Sequence, residues 1–207
     1  MQAIISRLEA LKNTHISNLI SQRMKEFKQH KAENHEKIFS ELCFCLLTAN
    51  FQAEKSIEIQ KEFEHEFETI SQEELAKKLK SKGHRFWPQR AERIVLAREC
   101  KDELCELVFK KSGKEIRGWI VENVKGLGMK EASHFLRNIG YGDVAILDFH
   151  IIDILVEEGL IERPKTLTPK RYLEIEEVLK KLGEEVDLNL AELDLYLWYL
   201  ETGKVLK

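Results

Sequence analysis

Apolar residues along this chain recur at three- and four-residue intervals, and that spacing commits it to helices. Leu190, Leu193, Leu197 and Leu200 fall on one helical face. Residues 36–49 carry Ile38, Phe39, Leu42, Phe44, Cys45, Leu46 and Leu47, the apolar density of a central helix. β-Branched residues form no alternating runs, so no sheet is expected. Of three prolines, Pro88 and Pro169 stand where helices should start, the second behind Thr168, a good N-cap. Ser71 and Glu74 match a capping box for a helix running toward Lys80 and ended by Gly83. Asp187 is expected to open the last helix, with Gly203 closing it. The sum is an all-α protein of about ten to twelve helices at typical lengths.

At 207 residues the chain is long enough to bury a sizeable core. A hydrophobic fraction of 43% and a charged fraction of 33% describe a soluble globular protein. No apolar run is long enough to span a membrane, and the stretch from Met1 to Arg7 lacks the features of a signal peptide. A cytoplasmic monomer is the expectation. Cysteines stand at 43, 45, 100 and 105 with no Cys-x-x-Cys pair, so neither a zinc nor an iron–sulfur site is expected, and no cofactor. The net charge of −3 argues mildly against nucleic-acid binding. A local basic face can still bind phosphate on an acidic protein.

One such face is suggested by Gly126-Leu-Gly-Met-Lys130-Glu-Ala132. Residues 115–124 read as a helix, 125–128 as a hairpin, and 129–139 as a second helix stopped by Gly140. Gly126 and Gly128 are expected to allow positive φ and close approach of a ligand. The N–H groups opening the second helix lack intrahelical partners and sit at the positive dipole end, a ready phosphate site. Lys130 lies at that same end, where its charged form is disfavoured and a nucleophilic amine favoured. Eighteen residues further on, Asp148 follows the apolar run Val144-Ala-Ile-Leu147. Alone, Lys130 reads as a surface lysine and Asp148 as an N-cap. A capping carboxylate keeps one oxygen for chemistry. His150, two residues on, reads as structural.

Glycine hairpin, lysine, and an aspartate about twenty residues later after an apolar run together resemble the helix-hairpin-helix DNA glycosylase superfamily. In that superfamily the lysine marks bifunctional glycosylase/lyases. The iron–sulfur cysteines of endonuclease III are absent. The segments Glu41-Leu-Cys-Phe-Cys-Leu-Leu-Thr-Ala-Asn50, Gly83-His-Arg-Phe86 and the run from Leu193 to Lys207 are similar to the type-2 8-oxoguanine DNA glycosylase/AP lyases of archaea and some bacteria. The resemblance implies a single glycosylase unit over residues 1–207, with two helical subdomains flanking a cleft and the hairpin motif at about 115–140. The N- and C-terminal helices would form one subdomain and the middle of the chain the other.

The resemblance also implies a partner, double-stranded DNA containing oxidised guanine, and a chemistry. Lys130 would attack the sugar C1′ with help from Asp148, and β-elimination would cut the strand. The target base must leave the stack. Asn50 would fill the gap, though it reads equally well as a helix C-cap. Phe86 and Trp198 would wall the base slot, where core packing is the plain alternative. Lys207, at the end of the chain with no disordered tail expected, would help distinguish 8-oxoguanine from guanine. Asp194 would accept from the base or serve polar contacts in its helix. Two other functions stay open at this stage: a non-catalytic helix-hairpin-helix DNA-binding module, and a sister glycosylase acting on oxidised pyrimidines.

Overall fold

The computed structural model describes residues 2–33 and 35–207. Among them all regular structure is helical, in agreement with the apolar spacing. The first half holds α1 (Gln2–Lys12), α2 (His15–Glu33), α3 (His35–Thr48), α4 (Ala53–Phe63), α5 (Gln72–Ser81) and α6 (Trp87–Ala97). A 3-10 turn at Arg98–Cys100 leads to α7 (Lys101–Lys110), α8 (Gly113–Asn123) and α9 (Met129–Asn138). Then come α10 (Phe149–Glu157), α11 (Pro169–Glu185) and α12 (Leu190–Thr202). The chain divides into a terminal unit, residues up to Gln29 with Leu136–Lys207, and a middle unit, His30–Phe135.

In the middle unit α3 is the central element. Every residue from Ile38 to Leu47 is buried, as a helix apolar on all sides requires. It packs on α4, α6 and α7. Its two buried polar side chains are served by one amide: Gln60 Nε2 donates to Ser40 Oγ at 2.9 Å and to Glu41 Oε1 at 3.0 Å. Beyond the last turn of α3 the chain bends sharply, with Asn50 at φ +58°. Buried His84 holds this bend. Its Nε2–H donates to the Leu47 carbonyl at 3.0 Å, and its Nδ1 accepts the Phe86 N–H at 3.2 Å. That pair of bonds requires a neutral ring with the proton on Nε2. Gly83, at φ +72°, delivers His84 there: the His84 and Gly83 N–H groups return to the Leu79 and Lys80 carbonyls, closing α5 in a Schellman motif.

In the terminal unit α12 packs on α1, α10 and α11. The run Val144–Leu147 is buried and outside any helix or strand. Its main-chain groups go to side chains of α11 instead. Glu176 Oε2 accepts the Ala145 N–H at 2.7 Å, and the Tyr172 hydroxyl accepts the Leu147 N–H at 3.1 Å while donating to the Ala145 carbonyl at 2.7 Å. Both side chains are buried.

Several caps differ from the expected ones. Ser71 caps α5 through the Glu74 N–H, but the Glu74 carboxylate bonds the Ser71 hydroxyl rather than its backbone N–H, so the box is half made. Full boxes occur at Ser112/Glu115 and Asn189/Glu192. The second corrects the expectation at Asp187. That residue is at φ +52° in the turn after α11, and Asn189 opens α12. Asn189-x-x-Glu192 carries both halves of a box, which a lone aspartate cannot supply.

Two expectations follow. Tyr172→Phe strips the Leu147 N–H of its acceptor and the Ala145 carbonyl of its donor, so denaturant melts should show a loss of roughly 1–3 kcal/mol. Burial, chiefly, lowers the pKa of His84 against a raising bond to Leu47. The unfolded chain therefore takes up a proton that the folded ring resists. Stability, full at neutral pH, should fall as pH drops through about 6.5. His84→Gln should flatten this slope between about pH 7 and 5 in thermal melts.

Candidate active site

The hairpin lies in the middle unit, between two braced helices. The Ser112/Glu115 box opens α8. The Ser112 backbone N–H, its hydroxyl and Lys111 hold the Glu115 carboxyl down to about 2. Buried Arg117 of α8 donates to Ser133 Oγ of α9 at 3.2 Å, and Phe44 of α3 meets His134 of α9 edge to face at 5.6 Å. Leu127 plugs the hairpin into the core. Gly126 has φ +99°, and a Cβ there would lie 2.5 Å from Cδ of Arg93. The backbone therefore favours glycine here, and the absence of a side chain lets Arg93 run close against the turn.

Gly128 corrects half of the glycine expectation. Its φ is not positive, and a Cβ would make only ordinary contact with Glu131. It stands as the residue before α9, its carbonyl accepting the Ala132 N–H at 2.9 Å. A glycine there offers no side-chain oxygen to the first N–H groups of α9, which leaves them to a ligand. Lys130 is in that first turn, about a third exposed, with Nζ 3.7 Å from Glu131 Oε1.

Asn50 and Phe86 belong to the same unit and share one open pocket of about 200 Å³ with Gln89, Arg90 and Arg93. Asn50 is exposed on the left-handed bend after α3, so it has the C-cap geometry as well as an accessible side chain. Two guanidiniums approach the Phe86 ring, Arg85 at 5.0 Å and Arg90 at 5.7 Å from its centre. Arg90 is 3% exposed. Its Nη2 donates to the Ala49 carbonyl, and its Nε and Nη1 find no acceptor. Burial, then Arg93, lowers its pKa, with Glu131 opposing.

Asp148, Trp198, Asp194 and Lys207 belong to the terminal unit. Asp148 caps α10, with Oδ1 accepting the Ile151 N–H at 3.0 Å. The side chains of Tyr172 and Glu176 fix the run leading to it, and Oδ2 is not used by the cap. Phe149 is 68% exposed and stacks on His150 at 3.9 Å. His150 in turn meets Trp198 edge to face at 4.9 Å and has Nδ1 3.6 Å from Glu201, a packed position consistent with a structural role. Trp198 Nε1 is buried without an acceptor. Asp194 is buried in an ion pair with Arg137, whose guanidinium also bonds Asn138 and covers the Phe27 ring at 5.2 Å. Polar contacts within the unit thus occupy Asp194. Lys207 is half-buried in the irregular segment after Gly203.

Sequence patterns missed His84, Arg90, Arg93, Tyr172 and Glu176, which hold the backbone around these residues or line the pocket beside them. The segment Gly83-His-Arg-Phe86, part of the family resemblance, is the available signal, and by itself it assigns His84 no role. Among the described residues no cluster of His, Cys, Asp or Glu could hold a metal ion, and no helix is long and apolar enough to cross a membrane.

A family model described as 8-oxoguanine DNA glycosylase matches residues 20–188. A Methanocaldococcus jannaschii protein named 8-oxoguanine DNA glycosylase/AP lyase is 54% identical, over 99% of both chains. A Korarchaeum cryptofilum protein of the same name is 47% identical, over 99% of this chain and 98% of its own. The crystal structure of the Methanocaldococcus jannaschii glycosylase/lyase in complex with a 15-mer DNA containing 8-oxoguanine superposes with a TM-score of 0.95 at 53% identity, covering 99% of this chain and 100% of that one. The Thermotoga maritima 8-oxoguanine DNA glycosylase superposes at 0.93 with 44% identity, covering 100% and 99%. A helical fold with a glycine hairpin, a lysine in the turn beyond it and full-length likeness to these proteins together place the chain in the 8-oxoguanine DNA glycosylase family.

Proposed function

We propose that this protein excises 8-oxoguanine from double-stranded DNA and cuts the strand at the resulting site. The observation that carries the reading is the full-length likeness to proteins named for both activities, together with a lysine in the first turn of the hairpin's second helix. The amine of Lys130 attacks C1′ of the sugar, and the glycosidic bond breaks with its electron pair leaving on the base. Opening of the sugar ring gives a Schiff base to Lys130. Loss of a C2′ proton then expels the 3′ phosphate by β-elimination, and water releases the enzyme. Asp148 takes the proton from the attacking amine and stabilises positive charge on the sugar.

The flipped base stacks on an aromatic wall, a role we give to Trp198, whose buried indole N–H has no acceptor within the protein. Phe86 shares its pocket with Asn50, which favours both acting where the base has left the stack. The hairpin glycines and the α9 N–H groups bind backbone phosphate. Lys207 contributes to telling 8-oxoguanine from guanine. The paired state of Asp194 favours a role in supporting α12 over contact with the base.

Borohydride reduction of the Schiff base should leave a covalent protein–DNA adduct, and Lys130→Gln should abolish it. An adduct that survives the substitution contradicts the nucleophile assigned here. Asp148→Asn separates capping from chemistry, because asparagine caps as well as aspartate. Its stability should be unchanged, while single-turnover excision slows roughly 10²–10⁴-fold. Duplexes carrying 8-oxoguanine should be cleaved far faster than duplexes carrying an oxidised pyrimidine; the reverse order would assign another lesion.

A further inference from the structure

The pocket beside the hairpin contains more positive charge than its own partners satisfy. Arg90 is a buried guanidinium with one of its three nitrogens bonded, and Nε and Nη1 are without acceptors. Buried donors are rarely left in that state unless a ligand completes them. Arg93 lines the same pocket, with its side chain running across Gly126 of the hairpin. Arg85 adds a third guanidinium over the Phe86 ring. Glu131, which acts against the repulsion at Arg90, is itself near Lys130. Two adjacent guanidiniums repel each other more strongly as water is excluded, and an anion placed between them reverses that energy.

We propose that the pocket lined by Asn50, Phe86, Gln89, Arg90 and Arg93 is a phosphate site, in which Arg90 and Arg93 hold one backbone phosphate of the DNA next to the hairpin. This rests on the glycosylase function above and extends the hairpin's phosphate surface along α6. A phosphate fits better than a base edge. A phosphate brings the negative charge that two neighbouring guanidiniums call for, whereas a base edge is neutral. The Gln89 amide can add a further N–H bond to a phosphate oxygen, while Asn50 stays with the gap in the stack. Arg90 also bonds the Ala49 carbonyl, so it ties occupancy of the site to the bend that presents Asn50.

The test uses a duplex carrying a tetrahydrofuran abasic analogue, which binds but cannot be cut. Because Arg90→Gln also removes the Ala49 bond that holds the bend, Arg93→Gln, on a half-exposed residue, carries the test. Arg93→Gln should weaken binding equally whichever base lies opposite the analogue. It should also reduce the slope of log affinity against log salt by about 1. In the wild-type protein, replacing one particular phosphate by an uncharged methylphosphonate should weaken binding, and in Arg93→Gln that same replacement should cost nothing further. An unchanged salt slope, a loss confined to one opposite base, or a methylphosphonate effect that persists in Arg93→Gln would overturn the site. Borohydride trapping of the wild-type protein on 8-oxoguanine DNA reports separately on the glycosylase function, so the two can fail independently.

Discussion

Buried main-chain amides and carbonyls outside helices must find partners, and here they find side chains. The dependence is greatest around the residues assigned to chemistry. His84 serves the Leu47 carbonyl and the Phe86 N–H, and Arg90 serves the Ala49 carbonyl; between them Asn50 takes a left-handed conformation. Tyr172 and Glu176 serve the run that ends at Asp148. Arg98 does the same for the Phe67 and Ile70 carbonyls at 2.8 and 2.7 Å. A helical protein without a sheet has few other ways to hold irregular backbone away from water. The cost of this arrangement is that each such side chain becomes a point of failure, since its loss strands a buried polar group.

The hairpin solves the same problem differently. Gly126 lets the chain reverse while Arg93 passes beneath it, and Gly128 starts α9 without covering its N–H groups. Lys130 therefore emerges from a helix end whose neighbours are fixed by the Arg117–Ser133 bond and by Phe44 against His134. Its side chain stays about a third exposed. Rigid support around an accessible side chain is what the proposed role of Lys130 as nucleophile requires.

The sequence was most legible where structure is local. Helix spacing, the Thr168 and Asp148 caps and the hairpin all depend on residues within four positions of one another, and the fold has them where the spacing put them. The bonds that set up the site are not local. Arg90 reaches back 41 residues, His84 reaches back 37, and Glu176 reaches back 31. By composition alone Arg90 and Glu176 are surface residues, because charged side chains are seldom buried. Asp187 misled for the opposite reason. It is a good cap beside a better one, and only the partner at Glu192 decides for Asn189.

The central claim is that Lys130 forms the covalent bond to the sugar. Peptide mapping of the borohydride-trapped complex tests this most directly. A modified Lys130 resists trypsin, so the DNA remnant should be found on an uncut peptide spanning residues 126–137, Gly126 to Arg137. A remnant on any other lysine or on the N-terminal amine, with that peptide cut normally after Lys130, would contradict the account.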